Sequence, residues 1–388
     1  MKKIKLGIVG LGNMGTGHLY NVFGGKCPRV EITAVCDIVP EKLDKAKEYP
    51  CARFTDYTEM LDSGLVDSVL IAVPHYDHPT IAIECFKRGI NVLTEKPAGV
   101  YSRQVREMNE AADEAGVKFG IMFNQRTNPI YAKAREIVQS GQLGELKRMV
   151  WIITSWYRTQ AYYDSGTWRA TWNGEGGGVL LNQAPHNLDL WQWIFGMPKR
   201  IRAFCEFGKY HNISVEDDVT IFGEYENGAT ATFITTTGDG CGTNRLEITG
   251  DRGKIVIEGG KLKWWKLSIP ERRFCFESKE GFSAPETTYE EFTAPVPEGH
   301  PEVLEAFAES VIDGTPLIAD GREGINSLSI SNAAYLSTWT DEWVEIPVNE
   351  ELFEKYLNEL CENESYIKKT ASPQETIEKL RERWKVRW

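Results

Sequence analysis

The chain has 388 residues, of which 41% are hydrophobic and 26% are charged. Its 56 acidic residues outnumber its 44 basic residues, and the formal net charge of −12 argues against nucleic acid or an anionic membrane surface as a partner. Because a chain of this length exceeds a typical single domain, we expect two domains.

The eight cysteines are scattered without a C-x-x-C pair, which is typical of free thiols in a reducing compartment. The run PHYDHP brings His75, Asp77 and His78 together, but no further ligand follows at a spacing typical of zinc sites, so we predict no metal. The sequence lacks an apolar run long enough to span a membrane, and MKKIKLGIVG leads into a strand pattern rather than a signal sequence. We therefore expect a cytoplasmic protein.

The first part of the chain alternates strand and helix patterns. Strands are predicted at 4–9, 31–36, 67–73, 90–94 and 117–122. Helices are predicted at 13–23, 41–48, 79–88 and 101–115. This alternation indicates a parallel sheet with right-handed crossovers, so we predict an α/β protein whose residues 1–125 form a doubly wound domain.

The pattern changes near residue 145. Strand patterns follow one another without helices between them, at 146–157, 199–207, 219–225, 228–237, 244–250 and 253–259. Helices are then predicted at 301–313 and 324–339, and 344–348 is a closing strand or a linker. We predict a C-terminal α+β domain with a large, mostly antiparallel sheet over 126–347. A helical extension over 348–388 follows, with helices at 350–361 and 374–385.

The run GIVGLGNMG has the G-x-G-x-x-G spacing between a predicted strand and a predicted helix. We expect this loop and the first helical turn to bind a pyrophosphate through Gly10, Gly12, Asn13, Met14 and Gly15. Asp37 follows the second strand, where a carboxylate accepts hydrogen bonds from an adenosine ribose and repels a 2′-phosphate. The domain is therefore predicted to be an NAD-binding Rossmann domain that prefers NAD over NADP.

Further polar residues follow the later strands of this domain. Because ligands of open parallel sheets bind beyond the carboxyl ends of the strands, these residues are expected near the nicotinamide: Pro74, His75, His78, Glu95, Lys96 and Asn124. Lys96 is placed to donate to a reacting oxygen and to stabilise alkoxide charge. The Lys96–Pro97 bond is a candidate for a cis peptide.

A second candidate segment is GGGVLLNQAPHNLDLW, residues 176–191. A helix that begins near Asn182 would place Asn182, His186 and Asp189 on one polar stripe of an otherwise apolar helix. Histidine titrates near neutral pH and suits the role of a general base.

Taken together, GLGNMG, the EKP of Glu95 to Pro97, and GGG before HNLD resemble the Gfo/Idh/MocA family of oxidoreductases, over about residues 4–347. The resemblance implies an NAD(P)-dependent oxidoreductase of sugars, inositols or related polyols. It also implies a homodimer or homotetramer formed through the second sheet, and it places Lys96 and His186 beside the reacting carbon. The family pattern has Asp four residues before this histidine. Here that residue is Asn182, which we interpret as tuning His186 or contacting substrate.

Aromatic and polar side chains in this part of the chain suit a sugar, which has apolar ring faces and a rim of hydroxyl groups. The expected substrate contacts are Arg126, Tyr157, Trp168, Arg169, Asn182 and His186. We predict hydride transfer between NAD and a secondary hydroxyl or ketone of a sugar, glycoside or polyol, with His186 as base and Lys96 at the alkoxide. Two alternatives stay open: redox-neutral glycoside cleavage through transient oxidation and elimination, and a non-catalytic sugar or NAD sensor.

Overall fold

The computed structural model describes residues 1–166 and 168–364, so the predicted helix at 374–385 lies outside it. The first sheet contains β1 (Ile4–Val9), β2 (Val30–Cys36), β3 (Ala52–Phe54), β4 (Ser68–Ile71), β5 (Asn91–Thr94) and β6 (Phe119–Ile121). All five strand pairings are parallel, in the order β3-β2-β1-β4-β5-β6. This strand order is that of a Rossmann fold, with the ligand crevice where the order reverses beside β1.

The helices of this domain lie where the sequence predicts them, with two differences. They are α1 (Asn13–Phe23), α2 (Tyr57–Asp62), α3 (Asp77–Phe86) and α4 (Ser102–Ala115). The predicted helix at 41–48 is instead a 3-10 helix, Pro40–Ala46. Neither β3 nor α2 was predicted, because segments of three and six residues are too short to show a clear period.

The second domain begins with a 3-10 helix, Asn124–Thr127, and α5 (Pro129–Gln139). Its strands are β7 (Leu146–Ile153), β8 (Arg200–Phe207), β9 (Glu216–Glu224), β10 (Thr230–Thr236), β11 (Asn244–Gly250), β12 (Gly253–Glu258), β13 (Lys261–Leu267), β14 (Thr287–Phe292) and β15 (Val344–Glu345). Its remaining helices are α6 (Gln160–Asp164), α7 (Pro185–Phe195), α8 (Glu271–Glu277), α9 (His300–Asp313), the 3-10 helix Gly321–Glu323, α10 (Gly324–Thr340) and α11 (Glu350–Glu362).

These strands form one nine-stranded sheet in the order β14-β13-β12-β11-β7-β10-β9-β8-β15. Among the described strands of this second sheet, only the β7–β10 pairing is parallel, so the predicted mostly antiparallel sheet is confirmed. Its inner face packs against α7 and α10. Trp151 is buried there beside Tyr131 and Phe233.

Helix α9 returns to the first domain, although its sequence position lies within 126–347. Val303, Leu304 and Phe307 share a hydrophobic cluster with Leu6 and Ile8 of β1. The chain therefore crosses between the two domains more than once, and residues distant in sequence meet at the crevice. Within the described residues, no helix has the length and apolar character needed to cross a membrane.

Candidate active site

The glycine loop after β1 has the geometry that a dinucleotide requires. Gly10 has φ +94°, and a Cβ there would lie 2.5 Å from the carbonyl oxygen of Ala72. A Cβ at Gly15 would lie 1.8 Å from the carbonyl oxygen of Gly10, so only glycine allows this close helix–strand packing. At Gly12, by contrast, a Cβ would meet nothing within 4 Å. The open side of the loop is therefore the side where a pyrophosphate fits at the N-terminus of α1.

Asp37 lies at the carboxyl end of β2 and holds this loop. Its Oδ2 atom accepts a hydrogen bond from the Leu11 N–H at 2.8 Å, and its Oδ1 atom accepts one from the Val39 N–H at 2.9 Å. Lys42 lies 3.5 Å from the same carboxylate, whereas Ile38 is 83% exposed. This side of the crevice is thus bounded by the Asp37 carboxylate, where a ribose is expected, and by Lys42, a residue not predicted from the sequence.

Glu95 and Lys96 follow β5, and the Lys96–Pro97 peptide is cis. The Glu95 carboxylate is buried and accepts a hydrogen bond from His18 Nε2 of α1 at 2.8 Å. Burial alone would raise the pKa of Glu95, but the hydrogen bond and charge of His18, with His300 and Lys96, lower it to about 2. Glu95 is therefore an anion that fastens α1 to the strand end carrying Lys96.

Lys96 lies between the two domains. Its Nζ atom donates a 2.7 Å hydrogen bond to the backbone carbonyl of Asn182. Burial lowers the pKa of Lys96, and the carboxylates of Glu95 and Glu175 oppose that decrease. The result is a partly buried ammonium group at the carboxyl edge of the first sheet.

His300, at the start of α9, completes this side of the crevice. Its Nδ1 atom lies 3.3 Å from Nδ2 of Asn124, and its ring contacts the ring of His18 edge to face at 5.7 Å. Burial lowers the pKa of His300 to about 4, together with the charges of His18 and Lys96 and against that of Glu95. His300 is therefore neutral at physiological pH, and it anchors Asn124 at the end of β6.

The PHYDHP run forms one wall of the crevice. Both ring nitrogens of His78 face backbone carbonyls, those of Pro97 at 2.8 Å and Val73 at 2.9 Å. The Nδ1 atom of His75 lies 3.0 Å from the carbonyl of Glu175, and its ring contacts Trp168 edge to face at 5.6 Å. These histidines thus join the end of β4 to the cis peptide and to the second domain.

The segment before α7 differs from the prediction. The helix begins at Pro185, where a missing N–H costs little, rather than near Asn182. Residues 178–184 form tight turns, in which the N–H of Asn182 bonds to the carbonyl of Gly178 at 3.0 Å. Because Asn182 precedes the helix, it does not share a helical stripe with His186.

His186 lies in the first turn of α7 and is 6% exposed. Burial lowers its pKa well below the ordinary histidine value, and the positive charge of Lys96 adds to this effect, whereas Glu95 opposes it. Since Lys96 is bonded to the carbonyl of Asn182, four residues before His186, both side chains lie at the segment that leads into α7. A neutral imidazole of this kind can accept a proton at physiological pH.

The Asn182 side chain belongs to a hydrogen-bond network with residues 157–166 and 168–172, the candidate substrate loop. Its Nδ2 atom donates to Oε1 of Glu175, and its Oδ1 atom accepts from the Tyr162 hydroxyl at 3.1 Å. Arg169 Nη1 donates to that hydroxyl at 2.8 Å, and its guanidinium stacks on the rings of Tyr162 and Trp168. Trp168, Arg169 and Asn182, three of the expected substrate contacts, are therefore brought together.

Two predicted substrate residues have no side-chain hydrogen bond to this network among the described contacts. The buried guanidinium of Arg126 donates to both oxygens of Asp189, at 2.9 and 2.6 Å, and to Glu323 at 2.7 Å. This pairing ties α7 to the end of the first domain and favours a structural role for Arg126, contrary to the expected substrate contact. Tyr157 is half-exposed at 49% in the segment between β7 and α6.

Four further residues at this site were not singled out from the sequence: His18, Tyr162, Glu175 and His300. His18 follows the glycine motif by one helical turn, and Glu175 directly precedes the GGG run. For these two residues, the neighbouring motif was the available signal. Their contacts join segments far apart in the chain, so local periodicity does not reveal them.

The residues present fit NAD. The open face at Gly12, the carboxylate of Asp37 and the polar strand ends at Glu95 and Asn124 provide surfaces for the phosphates, the ribose and the polar nicotinamide end. Models of known families agree with this assignment. An oxidoreductase family with an NAD-binding Rossmann fold matches residues 4–123, and the Gfo/Idh/MocA C-terminal domain matches residues 131–256.

Individual proteins show the same relationship. The rhizopine catabolism protein MocA of Rhizobium meliloti is 30% identical over 201 residues, which cover 50% of this chain and 58% of that protein. The myo-inositol 2-dehydrogenase of Thermotoga maritima is 24% identical over 334 residues, which cover 85% of this chain and 95% of that protein. The crystal structure of the WlbA dehydrogenase from Bordetella pertussis, in complex with NADH and UDP-GlcNAcA, matches with a TM-score of 0.77 at 25% identity. That match covers 90% of this chain and 100% of the WlbA chain. The chain therefore belongs to the Gfo/Idh/MocA family and is an oxidoreductase with an NAD-binding Rossmann domain.

Proposed function

We propose that this protein is an NAD-dependent dehydrogenase that oxidises a secondary hydroxyl of a sugar, glycoside or related polyol, or catalyses the reverse reduction. The observation that supports this function best is the placement of Lys96 and His186. Lys96 follows β5 of the cofactor domain and His186 lies in the first turn of α7 of the other domain, yet Nζ of Lys96 is bonded to the carbonyl of Asn182, four residues before His186, and the Lys96 charge lowers the pKa of His186.

His186 and Lys96 have complementary roles in this proposal. The neutral imidazole of His186 accepts the proton of the substrate hydroxyl as general base. An ammonium group has three N–H donors, and the Asn182 carbonyl takes one of those of Lys96, which leaves donors for the substrate oxygen. Lys96 thereby stabilises the negative charge that develops on that oxygen. When bound, the nicotinamide supplies the hydride acceptor at the sugar carbon.

The substrate side of the crevice suits a polyhydroxylated ring. Trp168 and Tyr162 offer aromatic faces, while Arg169, Asn182 and Gln183 offer polar groups within the same network. Apolar ring faces with a few converging polar groups are typical of sugar sites. The named activity of the Thermotoga maritima relative, an inositol dehydrogenase, and the UDP-sugar bound to WlbA support the same substrate class.

The test is to incubate the purified protein with NAD and a panel of sugars, polyols and aryl glycosides. Absorbance at 340 nm and aglycone release are recorded in parallel. A sugar-dependent rise at 340 nm without aglycone release supports the dehydrogenase. Aglycone release without a net change at 340 nm would instead assign redox-neutral cleavage. Tight sugar binding with neither signal would assign a sensor.

A further inference from the structure

Glu175 is a buried carboxylate at the centre of the site. It directly precedes the glycine run of residues 176–178 and is 2% exposed. Its Oε2 atom accepts a hydrogen bond from the backbone N–H of Ala170, and its Oε1 atom accepts one from Nδ2 of Asn182. Its own carbonyl lies 3.0 Å from Nδ1 of His75. Glu175 therefore contacts the substrate loop, the segment before α7 and the wall of the cofactor crevice.

The contact between Glu175 and Asn182 fixes the orientation of the Asn182 amide. With its Nδ2 atom donating to a carboxylate, its Oδ1 atom must face the donors on the other side, Tyr162 and Gln183 at 3.1 and 3.0 Å. Tyr162 in turn accepts from Arg169. Since the backbone carbonyl of this same Asn182 accepts a hydrogen bond from Lys96, one residue contacts both the proposed catalytic lysine and the substrate loop.

Glu175 also supplies charge. A carboxylate taken out of water is costly unless a nearby positive charge and hydrogen bonds compensate it. Two carboxylates act on the ammonium of Lys96, those of Glu95 and Glu175. The positively charged or titratable groups that face Lys96 are Arg158, Arg169, His75, His186 and His300. Glu95 is already bonded to His18, which makes Glu175 the carboxylate that balances the substrate side of Lys96.

We propose that Glu175 is a positioning residue of the active site, which orients the Asn182 amide and thereby supports the segment whose backbone carbonyl holds Lys96. It provides from the loop a carboxylate that position 182 lacks. The effect on turnover depends on the proposed dehydrogenase function, whereas the effect on Lys96 itself does not. The two can therefore be tested separately.

The first experiment measures the pKa of Lys96 without substrate. The NAD-free protein is labelled with trace acetic anhydride from pH 6 to 11, and acetylation of the Lys96 peptide is followed by mass spectrometry. Removal of a nearby opposite charge typically shifts a pKa by about one unit or more. We expect Glu175→Gln to lower the pKa of Lys96 by about that amount.

Glu216→Gln is the matched control. Glu216 is also fully buried and grips the same segment, since it accepts hydrogen bonds from the N–H groups of Gly178 and Leu180, each at 2.8 Å. Glu216 is not one of the charged groups that act on Lys96. Glu216→Gln should lower the thermal unfolding temperature but leave the pKa of Lys96 unchanged. An equal shift in both variants would overturn the proposal, because it would reflect a loosened segment rather than a lost charge.

The double variant Glu175→Gln with Asn182→Asp exchanges the carboxylate and the amide of the contacting pair. We expect it to recover the pKa of Lys96 to within about half a unit and most of the lost kcat/KM. Asn182→Asp alone should have a lower kcat/KM than the double variant, since it places two carboxylates in contact. If Glu175→Gln leaves the pKa of Lys96 unchanged, Glu175 has only a structural role. The same conclusion follows if the natural pair folds but the exchanged pair of the double variant does not.

Discussion

The Nζ atom of Lys96 is 2.7 Å from the carbonyl oxygen of Asn182, so a side chain of the first domain is bonded to the backbone of the second domain. This contact closes the crevice between β5 and the segment that leads into α7. Because His186 follows Asn182 by one short turn, the same contact sets the distance between the two proposed catalytic groups.

Replacing Lys96 should therefore affect chemistry more than cofactor binding. Lys96→Ala is expected to lower kcat by about 10²–10³, the usual loss for one donor at a developing oxyanion. The affinity for NAD, measured by quenching of tryptophan fluorescence, should stay within a few-fold. Lys133→Ala, which removes an exposed lysine on α5 that pairs with Glu136, is the control. Full activity in Lys96→Ala would exclude the lysine from the mechanism.

The pH dependence of kcat/KM should show both groups. Burial and the charge of Lys96 lower the pKa of His186, so its base form persists to low pH and the acid limb should lie below about 6.5. Burial lowers the pKa of Lys96, which places the alkaline limb below the ordinary lysine value of 10.5. His186→Ala should remove the acid limb and nearly all turnover. Retention of most activity in that variant would make His186 a core residue.

The cofactor preference should depend on Asp37. Its carboxylate repels a 2′-phosphate and holds the Leu11 and Val39 N–H groups. Asp37→Ser combined with Ile38→Arg should raise the affinity for NADP, because it removes this repulsion, adds a cation and frees Lys42. Fluorescence titrations with NAD and NADP measure the change. A natural protein that bound NADP more tightly than NAD would contradict the assignment.

Arg126 should matter for stability. Arg126→Met leaves the Asp189 carboxylate buried without its guanidinium, a loss that typically costs about 3–5 kcal/mol in the free energy of unfolding. The exposed pair of Arg273 with Glu277 is the comparison, and Arg273→Met should cost less than about 1 kcal/mol. Urea unfolding measures both. If Arg126→Met unfolded like the natural protein but no longer bound sugar, the original substrate assignment would be correct.

Self-association through the outer face of the nine-stranded sheet remains a prediction. Phe204 and Phe222 are 56% and 37% exposed on neighbouring strands of that face. Light scattering should show a dimer or tetramer that Phe204→Glu dissociates, whereas Phe282→Glu, at an exposed position outside the sheet, should not. A monomeric natural protein would rule out this interface.

Most of the fold and the cofactor half of the site could be predicted, because both depend on local patterns. Gly10, Gly12 and Gly15 have a fixed spacing, and Asp37 and Lys96 come directly after strands whose edges must meet. The contacts of His18 with Glu95 and of His300 with Asn124 join residues that are 77 and 176 positions apart, and no local period indicates them.

The start of α7 shows the same limit. The helical spacing of Asn182, His186 and Asp189 suggested one stripe, but the buried carboxylate of Glu216 binds the N–H groups of Gly178 and Leu180 and winds the segment into turns. A contact from β9 thus overrides the local pattern. It turns the Asn182 side chain toward Glu175, a partner that the sequence did not suggest.

The most direct test of the proposed chemistry is deuterium transfer. The protein is incubated with NAD and with sugars or glycosides deuterated at their carbinol carbons, and the cofactor is recovered by rapid quenching and examined by mass spectrometry. We predict deuterium in the recovered cofactor with at least one substrate of the panel, and a large loss of that signal in Lys96→Ala and His186→Ala. Saturating binding of a deuterated sugar with no deuterium in the cofactor would contradict hydride transfer at this site.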